Sequence, residues 1–109
     1  MEMQGKVNES DWWLFRSRLP EWQEAHMARL NQEYIALLSA PGSSSDKFWE
    51  LEKRIRQDKK AGGVVMRMSR TYMNLNIMAL IADGVIGLDD LEGFSDDFRE
   101  KMVFIVGER

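Results

Sequence analysis

The chain has 109 residues and a mass of 12.7 kDa, room for one compact domain built on a single hydrophobic core. Charged residues make up 30% and hydrophobic residues 44%, the balance of a folded globule rather than of a disordered chain. There is no cysteine and one histidine, His26. This excludes disulfide frameworks, thiolate nucleophiles, Cys-ligated metals and paired-histidine metal sites.

Residues 1–9 mix both signs of charge, lack the apolar run of a secretory signal and read as a flexible N-terminal tail ahead of one helical domain over 10–109. Ser10 is placed to cap a short first helix that begins with Asp11 and is stopped or kinked near Leu19 by Pro20. Proline also suits the first turn of a new helix, so a second helix is expected from about Pro20 to Leu38. Met27, Leu30, Tyr34 and Leu37 or Leu38 form its core-facing stripe. Ala40 to Ser45 is a loop, broken by Pro41 and Gly42. A third helix starts near Ser45 or Asp46, carries Phe48, Leu51 and Ile55 inward, and presents the favourably ordered pairs Glu50 to Arg54 and Glu52 to Arg56 outside. Lys59 and Lys60 suit its C-terminal end, and Gly62-Gly63 terminates it.

A fourth helix, the central one, is expected over about Val64 to Ala82, apolar around much of its circumference. Gly84 reads as a left-handed cap after which Val85 and Ile86 fold back onto the helix end. Asp89, Asp90 and Glu92 start a short turn or helix through Leu91. Ser95 caps a last helix that buries Phe98, Met102, Ile105 and Val106. No alternating run argues for a sheet. The expected architecture is an all-α single-domain bundle of four main helices plus one or two short ones. The longest apolar stretch, Tyr72 to Ala82, is far shorter than a bilayer span, so no membrane role and a cytoplasmic location are expected.

No phosphate-binding loop, dinucleotide fingerprint or nucleophile elbow occurs, and His26 has no partner at triad spacing. Asp83 to Asp90 has the outline of half a calcium loop, but register places Ala79 and Ile81 where oxygen ligands are required. No catalytic, cofactor-binding or metal-ligating residue is therefore assigned, and a non-enzymatic protein is expected. Two surfaces stand out. Trp12, Trp13 and Trp22, too many tryptophans to bury easily in so small a domain, join the acids Asp89, Asp90, Glu92, Asp96 and Asp97 as a candidate protein interface. The tryptophan region is also a candidate for homodimerisation, and the acids for imitation of phosphates. The second surface is a basic belt from Lys53 to Arg70, seven cations against the single acid Asp58, in which Arg54, Arg56, Lys59, Lys60, Arg67 and Arg70 are candidate polyanion ligands.

The stretch from Met68-Ser69-Arg70-Thr71-Tyr72 to Asp83-Gly84-Val85-Ile86 resembles the recognition helix of winged-helix regulators. This makes DNA binding through 53–70 the alternative function. Its helix is strongly apolar, no basic hairpin follows to act as a wing, and the next segment is acidic. A wider resemblance rests on Leu19-Pro20-Glu21-Trp22-Gln23-Glu24-Ala25, Glu33-Tyr34-Ile35, Lys47 to Ile55, and Asp90-Leu91-Glu92-Gly93-Phe94-Ser95-Asp96. Over about residues 12 to 106 the chain resembles short uncharacterised helical proteins encoded in prophages of low-GC Gram-positive bacteria. The resemblance implies an accessory protein of the bacterial host cell that binds a protein partner, such as an inhibitor of a CRISPR nuclease or another defence enzyme. It transfers no role to any residue.

Overall fold

The structure is a computed structural model that describes residues 7–107. Among these are four α-helices, a short 3₁₀ turn and no strand: α1 Glu9–Ser39, α2 Ser44–Asp58, α3 Met73–Ala82, the 3₁₀ turn Leu88–Leu91, and α4 Asp96–Gly107. The all-α bundle expected from the sequence is the architecture found. Residues 1–6 of the expected tail lie outside the described residues. Val7 packs against the core, and Asn8 and Glu9 already belong to the start of α1.

The two helices expected on either side of Pro20 are one. α1 runs unbroken through Pro20 for 31 residues, about 46 Å at 1.5 Å per residue, most of the molecule's 55 Å long axis. An interior proline removes one backbone hydrogen bond and crowds the carbonyl four residues earlier. Here Arg16 and Pro20 both lie on the solvent side, where water can take the freed carbonyl. Leu19 and Trp22, flanking the break, pack into the same core and hold both halves in line. The cap is Asn8 rather than Ser10: its Oδ1 accepts from the backbone N–H of Ser10 at 2.8 Å and of Asp11 at 3.2 Å.

The core is gathered around the N-terminal half of α1. Trp12, Phe15 and Leu19 meet Met73, Ile77 and Leu80 of α3, Val85 and Ile86 after it, Leu91, Phe94, and Phe98 and Met102 of α4. Gly84 turns the chain out of α3 with φ +77°, a conformation that favours glycine. The Val85 N–H donates back to the Leu80 carbonyl at 2.9 Å, which brings Val85 and Ile86 over the helix end as expected. Four methionines act as filler: Met73 and Met102 are fully buried, and Met66 and Met78 pack at the margin.

Two polar devices fasten the loops to α1. Arg18 donates to the carbonyls of Asp90 and Glu92, at 3.0 and 2.6 Å, and lies over the Phe94 ring. Asp11, only 2% exposed, accepts from both the N–H and the hydroxyl of Ser95 at 2.8 and 2.7 Å. Ser95 in turn caps α4, its Oγ accepting from the Phe98 N–H at 3.3 Å. The sequence reading places Asp11 only as a charge in the first turn; the structure makes it the bolt between α1 and α4.

The expected fourth helix is half as long as its apolar pattern suggests. From Ala61 to Tyr72 the chain runs through turns, and α3 begins only at Met73. Gly63 is buried with its Cα hydrogens against His26 and Val85, so the crossing is set by close backbone approach. Gln23 donates to the Gly62 carbonyl at 2.9 Å and Asn76 to that of Arg67 at 3.0 Å. These contacts satisfy backbone groups that a helix would otherwise have paired.

The C-terminal half of α1 and all of α2 form a helical hairpin, called the arm below, joined by the loop at 40–43. Ser43 caps α2, its Oγ accepting from the Asp46 N–H at 3.1 Å. Glu52 pairs with Arg56 as expected, but Arg54 reaches across to Glu33 of α1 at 2.6 Å rather than to Glu50. The Tyr34 hydroxyl donates to Asp58. Burial, and secondly this bond to a carboxylate, push the Tyr34 pKa from 10.0 up to about 12. Because the folded value lies above the unfolded one, the contribution of protonated Tyr34 is complete below pH 10 and is lost as pH rises toward 12. Thermal melts should therefore show a steeper alkaline loss of stability across that window in the native chain than in Tyr34→Phe; superimposable pH profiles would contradict the assignment.

Candidate protein-interaction surfaces

The tryptophans part company. Trp12 is buried in the core, its indole N–H without a hydrogen-bond partner and its ring covered by the guanidinium of Arg70 at 5.2 Å. Trp22 is half-buried and stacks on Phe94 at 6.5 Å between centroids. Both are core residues, which corrects their place in a candidate interface. Trp13 alone of the three faces solvent, with Arg16 5.0 Å from its ring.

The acids do not form one uncommitted patch. Asp90 accepts from the Gly87 N–H at 2.8 Å and closes the 3₁₀ turn, and Asp96 pairs with Arg99 at 2.6 Å. Asp89, Glu92 and Asp97 are exposed. No group of three or more acidic or histidine side chains among the described residues is placed to hold a metal ion.

The basic belt is dispersed as well. Arg54 is engaged by Glu33 and lies 3.8 Å from Asp58, Arg56 by Glu52, and Arg70 by Glu9 through two bonds at 3.0 and 3.2 Å. The first two cations stand on α2, Lys59 and Lys60 just beyond it, and Arg67 and Arg70 on the turns before α3. The helix read as a recognition helix contains neither Arg67 nor Arg70. α3 turns Met73, Ile77 and Leu80 into the core and shows Leu75 and Ala79 to solvent, with no cation to meet phosphate or base edges.

Exposed apolar side chains occur on every helix, Trp13 on α1 and Leu75 on α3 among them, but adjacent exposed pairs of large ones stand on α2 and α4. α2 has no buried residue. Phe48 and Trp49, 60% and 63% exposed, stack edge to face at 4.9 Å between centroids near the tip of the arm, with Ile55 exposed lower down and Ile35 and Leu38 on α1. The inward stripe expected for Phe48, Leu51 and Ile55 is thus corrected: only Leu51 is even half-buried among its neighbours on that stripe. The main core lies under the other half of α1; on the arm only Leu30 of α1 is buried, too little apolar cover for Phe48 and Ile55. One open groove of about 400 Å³ follows α2 between Phe48 and Lys59. A second, about 210 Å³, shares Ile55 and Lys59 with it and opens toward Met27, Leu30 and Tyr34 of α1.

The other uncovered face is on α4. Phe104, 69% exposed, stands with Val103 beside a groove of about 380 Å³ whose remaining walls are Asp96, Arg99 and Glu100. Both faces carried a signal in the sequence that periodicity alone overlooks. Phe48-Trp49 and Val103-Phe104 are adjacent pairs of large apolar residues, about 100° apart on a helix, so covering both members takes a wide apolar stripe.

A scan against family models and searches of curated proteins and solved structures gave no match. No helix among the described residues is long and apolar enough to cross a membrane.

Proposed function

We propose that the protein is a non-enzymatic binding module that engages a protein partner through the outer face of α4. The observation that carries this reading is Phe104, the most exposed of the large apolar side chains, set with Val103 over a groove rimmed by Asp96, Arg99 and Glu100. An aromatic anchor inside a polar rim is the anatomy of a binding hot spot. A lone exposed apolar residue has no such meaning, but a paired one with a groove beside it does. The exposed acids Asp89, Glu92 and Asp97, on the neighbouring turn and the first turn of α4, favour a partner with a basic surface, of the kind that holds nucleic acid. Taken with the resemblance to prophage-encoded chains, the partner class is a host enzyme acting on nucleic acid, inhibited by occupation.

The test uses affinity capture from host lysate with the native chain, Phe104→Asp, and the triple charge reversal Asp89→Lys, Glu92→Lys, Asp97→Lys. Phe104→Asp should lose the captured partner at least tenfold while its melting temperature stays close to the native value, since Phe104 covers little. The charge reversal should weaken capture and remove its salt dependence. Equal capture by all three chains contradicts the proposal.

A further inference from the structure

We infer that the arm is a self-association surface on which two copies of the chain pack their α2 helices antiparallel about a two-fold axis. A 15-residue helix is marginal in water without tertiary cover. α2 buries no residue, yet carries Phe48, Trp49, Leu51 and Ile55. Its ties to α1 through Arg54 and Asp58 leave that face open, and the charge pattern identifies what can cover it.

The first nine residues of α2, Ser44 to Glu52, hold three acids and one base, a net charge of −2. The next eight, Lys53 to Lys60, hold five bases and one acid, a net of +4; with Arg54 paired to Glu33 and Arg56 to Glu52 the uncommitted charges of the two halves are −1 and +2, still opposite in sign. A partner of uniform sign is repelled by one half. A second copy laid parallel opposes like to like throughout, whereas an antiparallel copy sets the acidic end of each helix against the basic end of the other. Such a contact is isologous and closes on itself as a dimer.

The apolar geometry agrees. Phe48 and Ile55 are two turns apart on one face of α2. An antiparallel copy therefore brings its Phe48 and Trp49 to the Ile55 and Lys59 end, where the groove of about 210 Å³ lined by Met27, Leu30, Tyr34 and Val64 lies open. That volume suits one large aromatic ring. By symmetry each copy offers both the aromatic pair and the groove, and two aromatic anchors are buried per dimer. This surface is separate from the α4 face, so the inference stands on observations of its own.

Light scattering over a concentration series of the full chain should give a mass of twice 12.7 kDa at high concentration. Phe48→Asp should remain at the single-chain mass with nearly unchanged helical circular dichroism, because Phe48 is 60% exposed and stands outside the core. Since the chain has no cysteine, orientation can be read by cross-linking. Under oxidation Ser45→Cys should form a disulfide with Lys59→Cys in a mixture, and little with itself. A single-chain mass at every accessible concentration overturns the inference, as does a dimer unaffected by Phe48→Asp or efficient cross-linking of Ser45→Cys to itself. Because these readouts need no other protein, their failure leaves the α4 proposal standing, and failure of capture by α4 leaves the dimer standing.

Discussion

Replacing Asp11 with alanine should destabilise the domain by about 2–4 kcal/mol, the cost of leaving buried donors without their acceptor. The carboxylate, itself 2% exposed, receives both the N–H and the hydroxyl of half-buried Ser95 at 2.7–2.8 Å. Ser95 is also the cap of α4, so loss of Asp11 loosens the first turn of that helix and with it Phe98, which completes the core beside Phe94 at 5.3 Å between rings. Against a total of about 5–15 kcal/mol for a domain of this kind, the loss is a large fraction. Urea unfolding should show a lower midpoint with an unchanged slope, the sign of altered stability rather than altered compactness. Asp11→Asn, which keeps one acceptor oxygen, should fall between. A midpoint for Asp11→Ala equal to the native one would mean that Ser95 finds other partners and that Asp11 does not bolt α1 to α4.

The second large effect belongs to Gly63. A methyl group there would stand 2.8 Å from Cγ of His26 and 2.8 Å from Cγ2 of Val85, and closer still to Cδ2 of the same ring. His26 is held on α1 with Nδ1 3.4 Å from Arg29, whose guanidinium also donates to the Val85 carbonyl at 3.1 Å. Neither neighbour is the free end of a flexible chain. Gly63→Ala should therefore cost about 1–3 kcal/mol through overpacking. His26→Ala should recover part of that loss in the double variant, because it removes the ring that the new methyl meets. Thermal unfolding of the four chains of this cycle measures the coupling directly. Strict additivity would show that the crossing segment moves away freely and that its close approach to α1 is not a constraint.

Much of the fold was legible in the sequence because it rests on local chemistry. Ser95 caps α4, Gly84 turns the chain after α3, Val85 and Ile86 return to the core, and the loop around Pro41 and Gly42 separates two helices, all as residue types and spacing indicate. The errors are tertiary. Pro20 remains inside a helix because Leu19 and Trp22 on either side share one core, a fact of packing that no local rule contains. Val64 to Tyr72 has a helix-like apolar pattern but is drawn into turns by the contact of Gly63 with His26 and Val85. The stripe on α2 has helical period, yet period says only that one face is apolar and not that the same chain covers it.

The candidate sites show the same division. Charged residues were legible as a list, but their partners were not. Arg70 belongs to Glu9, 61 residues away, and Arg54 to Glu33, 21 away, so a belt contiguous in sequence is dismantled in space. Trp12 was legible as an unusual residue and is a core residue. Phe48, Trp49, Val103 and Phe104 fit an ordinary apolar pattern in the sequence, yet the fold leaves all four to the solvent.

One core, built on the first half of α1, carries an arm whose apolar face the chain itself leaves largely uncovered. Hydrogen exchange on the monomeric Phe48→Asp chain tests it most directly. Amides of α3 and of the first half of α1 should exchange only through global unfolding, while those of α2 should exchange orders of magnitude faster, through opening of the arm alone. Protection of α2 equal to that of α3 in this variant would contradict the account, since it would mean that the arm needs no second copy to be held.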